Sequence, residues 1–217
     1  MQVRLILDTA HIDQIERAIQ SGVIGGIATN PSKIAETGKS VETVVREIAS
    51  IFDGPIALEA PSTRAEDIVR EARELSRLGP NVAIKIATTF EGIKAISQLS
   101  KEGIKTNSTL VFTPAQALLA GLAGASFISP FVGRASKMGL DPMATLAKAR
   151  KMYDAFGLNT KIIAASIRSV DQVIDSFIAG ADMVAVRYEI FEQMFEHPLT
   201  DEGARRFLED SQSAYRR

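Results

Sequence analysis

The nine residues 81–89, NVAIKIATT, set one lysine, Lys85, in the middle of a short apolar stretch. A charged amine inside a buried strand is costly, so it must either reach polar partners or be held partly neutral. A neutral amine is a nucleophile toward a carbonyl, the first step of Schiff-base chemistry. Lysine in water titrates near ~10.4, and apolar surroundings lower that value for a buried amine. Forming and breaking an iminium also needs proton transfers, which a carboxylic acid within reach supplies directly or through water. Glu59 and Asp8 are the two candidates. Two carboxylates in one cleft can take different roles. If Glu59 serves carbinolamine formation and dehydration, Asp8 is left to accept a hydroxyl proton when a carbon–carbon bond breaks.

These residues must be positioned by something, and the hydropathy pattern says what. Short β-branched runs at 4–7, 26–28, 56–59, 82–86, 105–110, 127–129, 162–165 and 183–186 alternate with amphipathic stretches at 11–21, 41–52, 62–78, 90–101, 114–123, 142–156, 170–179 and 188–195. That alternation is the signature of a parallel sheet covered by helices. Turn residues mark the joins, with Gly79-Pro80, Gly103, Gly124 and Gly180 ahead of later strands. Thr113-Pro114 and Asp141-Pro142 read as helix starts. Eight strand-helix units close into an α/β (β/α)8 TIM barrel, and 217 residues fall within its size range. An open doubly wound sheet would call for a Gly-rich phosphate fingerprint after the first strand, where this chain has DTAHID. The expectation is a single barrel domain over 1–217, with 200–217 as an additional C-terminal helix and tail.

In a barrel strand alternate residues point inward, so polar inward groups should share a parity and gather at the C-terminal end. Pointing Lys85 inward takes Ala83 and Ala87 with it, and those small side chains leave room for a ligand. Glu59 turns inward beside Ala57, and Asp8 ends the first strand. Asn107 and Thr109 share one parity on the fifth strand. Ser166 stands above Ala164 at the end of the seventh strand and Arg187 above Ala185 on the eighth. One ionisable residue in a buried strand is ordinarily half of a structural ion pair. Several strands each ending in an inward polar residue describe a site instead, since a packed core has no need of an acid, a base and amides at one end. Arg134 and Arg168 follow the sixth and seventh strands on the same face. Barrels bind phosphate near strands seven and eight, and arginine offers a fork of donors matched to an anion.

Composition narrows the classes. The charges nearly cancel, 25 basic against 26 acidic, which gives no nucleic-acid footprint and no basic membrane patch. No cysteine is present, so disulfides, thiolate metal sites and a cysteine nucleophile are excluded. The two histidines, His11 and His197, are far apart and read as structural or surface residues, so neither metal nor other cofactor is expected. No run of 18 apolar residues and no secretory leader is visible. The expectation is a soluble, cytoplasmic protein acting on a small molecule.

Six ordered stretches, LDTA at 7–10, ATNPS at 28–32, VAIKI at 82–86, TNSTLVF at 106–112, SPFVGR at 129–134 and AASIRS at 164–169, resemble the transaldolase family. In length the chain is similar to its small branch, which also holds the fructose-6-phosphate aldolases. By that resemblance Lys85 is the Schiff-base lysine, Asp8 the acid/base at the C4 hydroxyl, and Glu59 the acid acting through a catalytic water. Asn30, Asn107, Thr109 and Ser129 match groups that hold the dihydroxyacetone portion or the water, and Phe131 matches the aromatic at the sixth strand. The family's aldolases typically carry glutamine and tyrosine where this chain has Glu59 and Phe131, so the resemblance implies transfer rather than simple cleavage. It also implies a homo-oligomer, commonly a decamer, and a sugar phosphate as substrate.

The chain departs from the family pattern at Ala28, Lys33, Ala60-Pro61, Ala87 and Arg187. These changes read either as neutral drift or as a pocket remodelled with extra positive charge for a different C6 anion, such as a sulfonate. Two other readings stand beside transaldolase: an aldolase releasing free dihydroxyacetone, and a non-catalytic barrel that binds sugar phosphates.

Overall fold

The computed structural model of the protein describes residues 4–214. Among those residues, strands β1 (Arg4–Asp8), β2 (Ile24–Ala28), β3 (Ile56–Glu59), β4 (Val82–Ala87), β5 (Thr106–Val111), β6 (Phe127–Pro130), β7 (Lys161–Ala164) and β8 (Met183–Val186) close into a parallel barrel in sequence order. The helices are α1 (Ile12–Ile19), α2 (Pro31–Glu36), α3 (Val41–Ile51), α4 (Ala65–Ser76), α5 (Phe90–Lys101), α6 (Pro114–Leu122), α7 (Val132–Lys137), α8 (Pro142–Phe156), α9 (Val170–Ile178), α10 (Tyr188–Gln193) and α11 (Pro198–Ala214). The expected (β/α)8 barrel with a C-terminal helix is therefore present. The end of the expected tail, 215–217, lies outside the described residues.

The helix starts follow from capping chemistry. Thr113 accepts from the Gln116 backbone N–H while the Gln116 side chain reaches back, a complete capping box with Pro114 at the first helical position. Asp141 accepts from the Ala144 N–H at 3.0 Å ahead of Pro142. Two short helices, α2 and α7, stand where the periodicity predicts loops; at six residues each they are too short to show a 3.6-residue repeat.

Two apolar layers fill the molecule. The larger lies between strands and helices and includes Ile84 and Ile86 of β4, Leu58 of β3 and Ile162 and Ala164 of β7. Within it Tyr153 of α8 is fully buried and donates to the Ala117 carbonyl at 2.7 Å, tying α8 to α6. Burial raises its phenol well above the ordinary value, so the hydroxyl serves as a neutral donor. The smaller layer is the barrel interior, built on Ile6, Ala28, Ile163 and Ala185 with Ala57, Phe127, Ala165 and Met183 against them. Half of those eight residues are alanine, and such small side chains leave the interior incompletely filled.

The inward parity expected for β1, β3, β4, β5 and β8 matches this layering, but that for β7 does not. Ala164 packs outward, and Ile163 and Ala165 face the interior. The alternation breaks at Ser166, whose φ of 59° is in the left-handed region. A residue there turns the chain through a corner that a period-two extrapolation does not follow.

Candidate active site

The space left by the alanines is a cavity of about 150 Å³ at the barrel core, with Ile6, Ala57, Ala83 and Ala185 among its apolar walls. Ala87, the last residue of β4, does not line it. Asp8, Lys85, Asn30, Asn107, Thr109, Ser129, Phe131, Arg134, Ser166, Arg168 and Arg187 all face this one cavity. Glu59 does not face it; its carboxylate is reached through Lys85.

Register explains the pairing at the centre. Glu59 on β3, Lys85 on β4 and Asn107 on β5 are direct partners across adjacent strands, so their side chains leave the same rung on the same side. Lys85 Nζ donates to Glu59 Oε2 at 3.2 Å and to the Thr29 carbonyl at 2.9 Å. The side chains are 12% and 24% exposed, enough burial for the contact to matter and enough access for a substrate. Of the two fates open to a strand lysine, Lys85 takes the first and reaches polar partners. Glu59 also forms part of the wall of a second hollow, between α3 and α4, so the Lys85–Glu59 pair stands between the cavity and the helix layer.

On the next strands the polar groups form a short chain. Ser129 Oγ donates to Asn107 Oδ1 at 2.9 Å, both buried. Thr109 lines the cavity, and its Oγ1 is buried without a hydrogen-bond partner among the described residues. A buried hydroxyl without a partner is uncommon. β5 is irregular just beyond, with a register shift between Ser108 and Val111 and Leu110 at φ 59°. Such a bulge re-aims side chains at the end of a strand.

The cationic side of the cavity comes from three connections. Arg134 lies in α7 rather than in a loop, its guanidinium 4.9 Å from the Phe131 ring centroid. Phe131 in turn meets Phe112 edge-on, with centroids 5.9 Å apart. Arg168 lies in the turn after β7, where its backbone N–H donates to Gln172 Oε1 at 2.9 Å. The two connections are stitched together: Val132 N–H donates to the Ala165 carbonyl at 2.8 Å and Gly133 N–H to the Ser166 carbonyl at 2.9 Å. A Cβ at Gly133 would lie 2.2 Å from the Ser166 oxygen and 2.5 Å from Arg168 Cγ, so only glycine permits this approach. Arg187 follows β8 as the N-cap residue of α10. No carboxylate pairs with Arg134, Arg168 or Arg187 among the described residues, which leaves three guanidinium groups for an anion.

One charged residue of the cavity stands outside the sequence-derived candidates. Lys33 of α2 lines the cavity and lies 3.4 Å from Asp8 Oδ2. Its sequence signal was the departure from the ATNPS context of the family, which flagged the position without a partner. Neither histidine lines the cavity: His11 Nε2 is 3.8 Å from Glu36 Oε2, and His197 Nδ1 accepts from the Leu199 N–H.

Chemically, the arrangement offers an amine beside a carboxylate, a second carboxylate at the end of β1, amide and hydroxyl groups on β5 and β6, and three arginines with no carboxylate partner among the described residues. A family model described as transaldolase/fructose-6-phosphate aldolase matches residues 5–216. Among curated relatives, a "probable transaldolase" of Desulforudis audaxviator is 50% identical over 208 residues, covering 96% of this chain and 97% of that protein. Another of Carboxydothermus hydrogenoformans is 48% identical over 214 residues, covering 99% and 100%. A solved structure of a mutant flavocytochrome b2 with pyruvate bound superposes with a TM-score of 0.62 at 12% identity, over 85% of this chain and 56% of that one, a likeness of fold alone. With the family model spanning nearly the whole chain and relatives this similar along their full length, the protein is an enzyme of the transaldolase/fructose-6-phosphate aldolase family.

Proposed function

We propose that the protein is a transaldolase. It moves a dihydroxyacetone unit from a ketose with an anionic C6 group to an aldose acceptor, through a Schiff base on Lys85. The observation that carries the reading is the contact of Lys85 Nζ with Glu59 Oε2 at 3.2 Å beside a cavity. Glu59 takes the ammonium proton, and the free amine attacks the C2 carbonyl of the ketose. The carbinolamine then loses water as Glu59 returns a proton to the departing hydroxyl. The resulting iminium draws electrons from the C3–C4 bond. Asp8 accepts the C4 hydroxyl proton, the bond breaks, and the aldehyde half leaves while the electron pair stays on the enzyme-bound enamine. An incoming aldehyde is attacked by that enamine carbon and the steps reverse. Asn30, Asn107, Thr109 and Ser129 hold the three-carbon unit. Arg134, Arg168, Arg187 and Ser166 hold the C6 anion.

Transfer is favoured over release of free dihydroxyacetone by Glu59 and Phe131, where the family's aldolases carry glutamine and tyrosine. Three guanidinium groups suit fructose 6-phosphate and also 6-deoxy-6-sulfofructose, since both end in several acceptor oxygens. Of the two odd cations, only Arg187 lacks an ion-pair partner among the described residues and faces the anion; the Lys33 charge is engaged at Asp8. Borohydride reduction with each ketose, followed by mass mapping, is the test. The expected outcome is one adduct, on Lys85, with either donor carrying turnover to an aldose such as glyceraldehyde 3-phosphate. No adduct on Lys85 would overturn the reading. A clear preference for fructose 6-phosphate would dispose of the sulfonate donor.

A further inference from the structure

Lys33 is in the first turn of α2, immediately after the strand end that carries Thr29 and Asn30. Local chemistry sets its place: Asn30 caps the helix by accepting the Lys33 backbone N–H at 3.1 Å, and Pro31 stands at the first helical position. Long lysine side chains on helices ordinarily keep their heads in water. This one turns into the cavity instead. Its ammonium donates to the Asp8 main-chain carbonyl and lies 3.4 Å from Asp8 Oδ2, with the two side chains 18% and 25% exposed. Among the described residues it is the only ion-pair partner of Asp8.

One ammonium touching both the main chain and the carboxylate of a single residue fixes two things together. It pins the last residue of β1 against α2, and it restricts the carboxylate to the rotamer that faces the cavity. A carboxylate ending a strand without such a tether would sample several χ settings, only some of which point at the substrate. We propose that Lys33 is a positioning residue for Asp8, holding its carboxylate where the C4 hydroxyl proton must be taken. The inference rests on the reading of Asp8 as that base. It sets Lys33 apart from Arg134, Arg168 and Arg187, whose guanidinium groups have no carboxylate partner among the described residues.

The test combines Lys33→Met, Lys33→Arg, Asp8→Asn and the double variant Asp8→Asn/Lys33→Met. Misplacing a catalytic group by about 1 Å costs on the order of 10²-fold in rate, so Lys33→Met should lower kcat by roughly 10- to 100-fold. The KM for an anionic ketose should stay nearly constant. Borohydride trapping on Lys85 should keep its wild-type yield, which a merely misfolded variant would not. Lys33→Arg should recover most of the turnover. Added to Asp8→Asn, Lys33→Met should change kcat by less than about twofold, because residues acting through one another are non-additive. A loss that appears in KM for the anionic donor alone, or that adds in full to Asp8→Asn, overturns the positioning role. So does wild-type turnover in Lys33→Met while Asp8→Asn is crippled. Wild-type turnover in Asp8→Asn would instead remove the base itself, and Lys33 with it.

Discussion

At the scale of residues, the arrangement turns on what surrounds Lys85 Nζ. It has two acceptors, Glu59 Oε2 and the Thr29 carbonyl, and an alanine-walled cavity at its side. An amine held this way is fixed in direction and touches a carboxylate, so the proposed activation needs only a proton shift along an existing hydrogen bond. In the proposed reading, Glu59 and Phe131 favour transfer over release. Replacing Glu59 by glutamine keeps the shape and removes the ionisable group; Phe131→Tyr adds a hydroxyl beside the Arg134 guanidinium. The double change should raise release of free dihydroxyacetone from a ketose relative to transfer, measured as the ratio of the two products. An unchanged ratio would count against these positions as the determinants. Glu59→Ala should lower turnover by about 10²- to 10⁴-fold, the usual range for losing a general acid/base.

At the scale of elements, three connections build the proposed anion-binding side, and two of them depend on each other. α7 starts at Phe131, whose N–H donates to the Val111 carbonyl of β5, while Val132 and Gly133 donate across to the turn after β7. Gly133 is the point of closest approach, with the Ser166 carbonyl and Arg168 side chain where a Cβ would be. Gly133→Ala must therefore push the Arg168 turn away from α7. Steady-state kinetics should show the KM for an anionic ketose raised by roughly 10- to 100-fold, since each lost charge-assisted hydrogen bond weakens binding by about 1.5–3 kcal/mol. The effect on a neutral ketose such as fructose should be much smaller. Equal effects on both would mean that the arginines do not read the C6 group. Part of this is readable in the sequence: a period-two pattern with one polar residue at each strand end puts Lys85, Asn107 and Thr109 on the face that lines the cavity. Ser166 was placed by extending that period past the end of β7, where the left-handed backbone breaks it, and the residue reaches the cavity by a different route.

At the scale of the whole molecule, the outer surface carries apolar side chains that the barrel does not bury. Phe90, Ile178, Phe207 and Met138 are 85%, 79%, 76% and 76% exposed, and α11 adds Leu199 and Leu208. Exposed apolar groups of this size mark contact surfaces when they cluster. We expect the chain to assemble with further copies of itself, as the family resemblance implies, and light scattering on the purified protein should give a mass well above the 23.4 kDa of one chain. A monomer at micromolar concentration would contradict this. No helix among the described residues is long and apolar enough to cross a membrane, so these side chains are not read as a span.

The sequence alone determined the barrel, the inward lysine, the carboxylate on the neighbouring strand and the faces of Asn107 and Thr109. All of these follow from local periods: two residues per repeat in a strand, an amphipathic repeat in a helix, and a polar residue where a strand ends. The tertiary structure decided what local periods do not encode. Closure of the barrel put Glu59, Lys85 and Asn107 on one rung, because register between strands is set by packing of elements far apart in the chain. The approach of α7 to the β7 turn brought Arg134 and Arg168 to one side. Lys33 and Asp8, 25 residues apart, met only because β1 and β2 are neighbours and α2 starts where β2 ends. Nothing in the hydropathy of either stretch foretells that contact; it is a consequence of folding the first two units against each other.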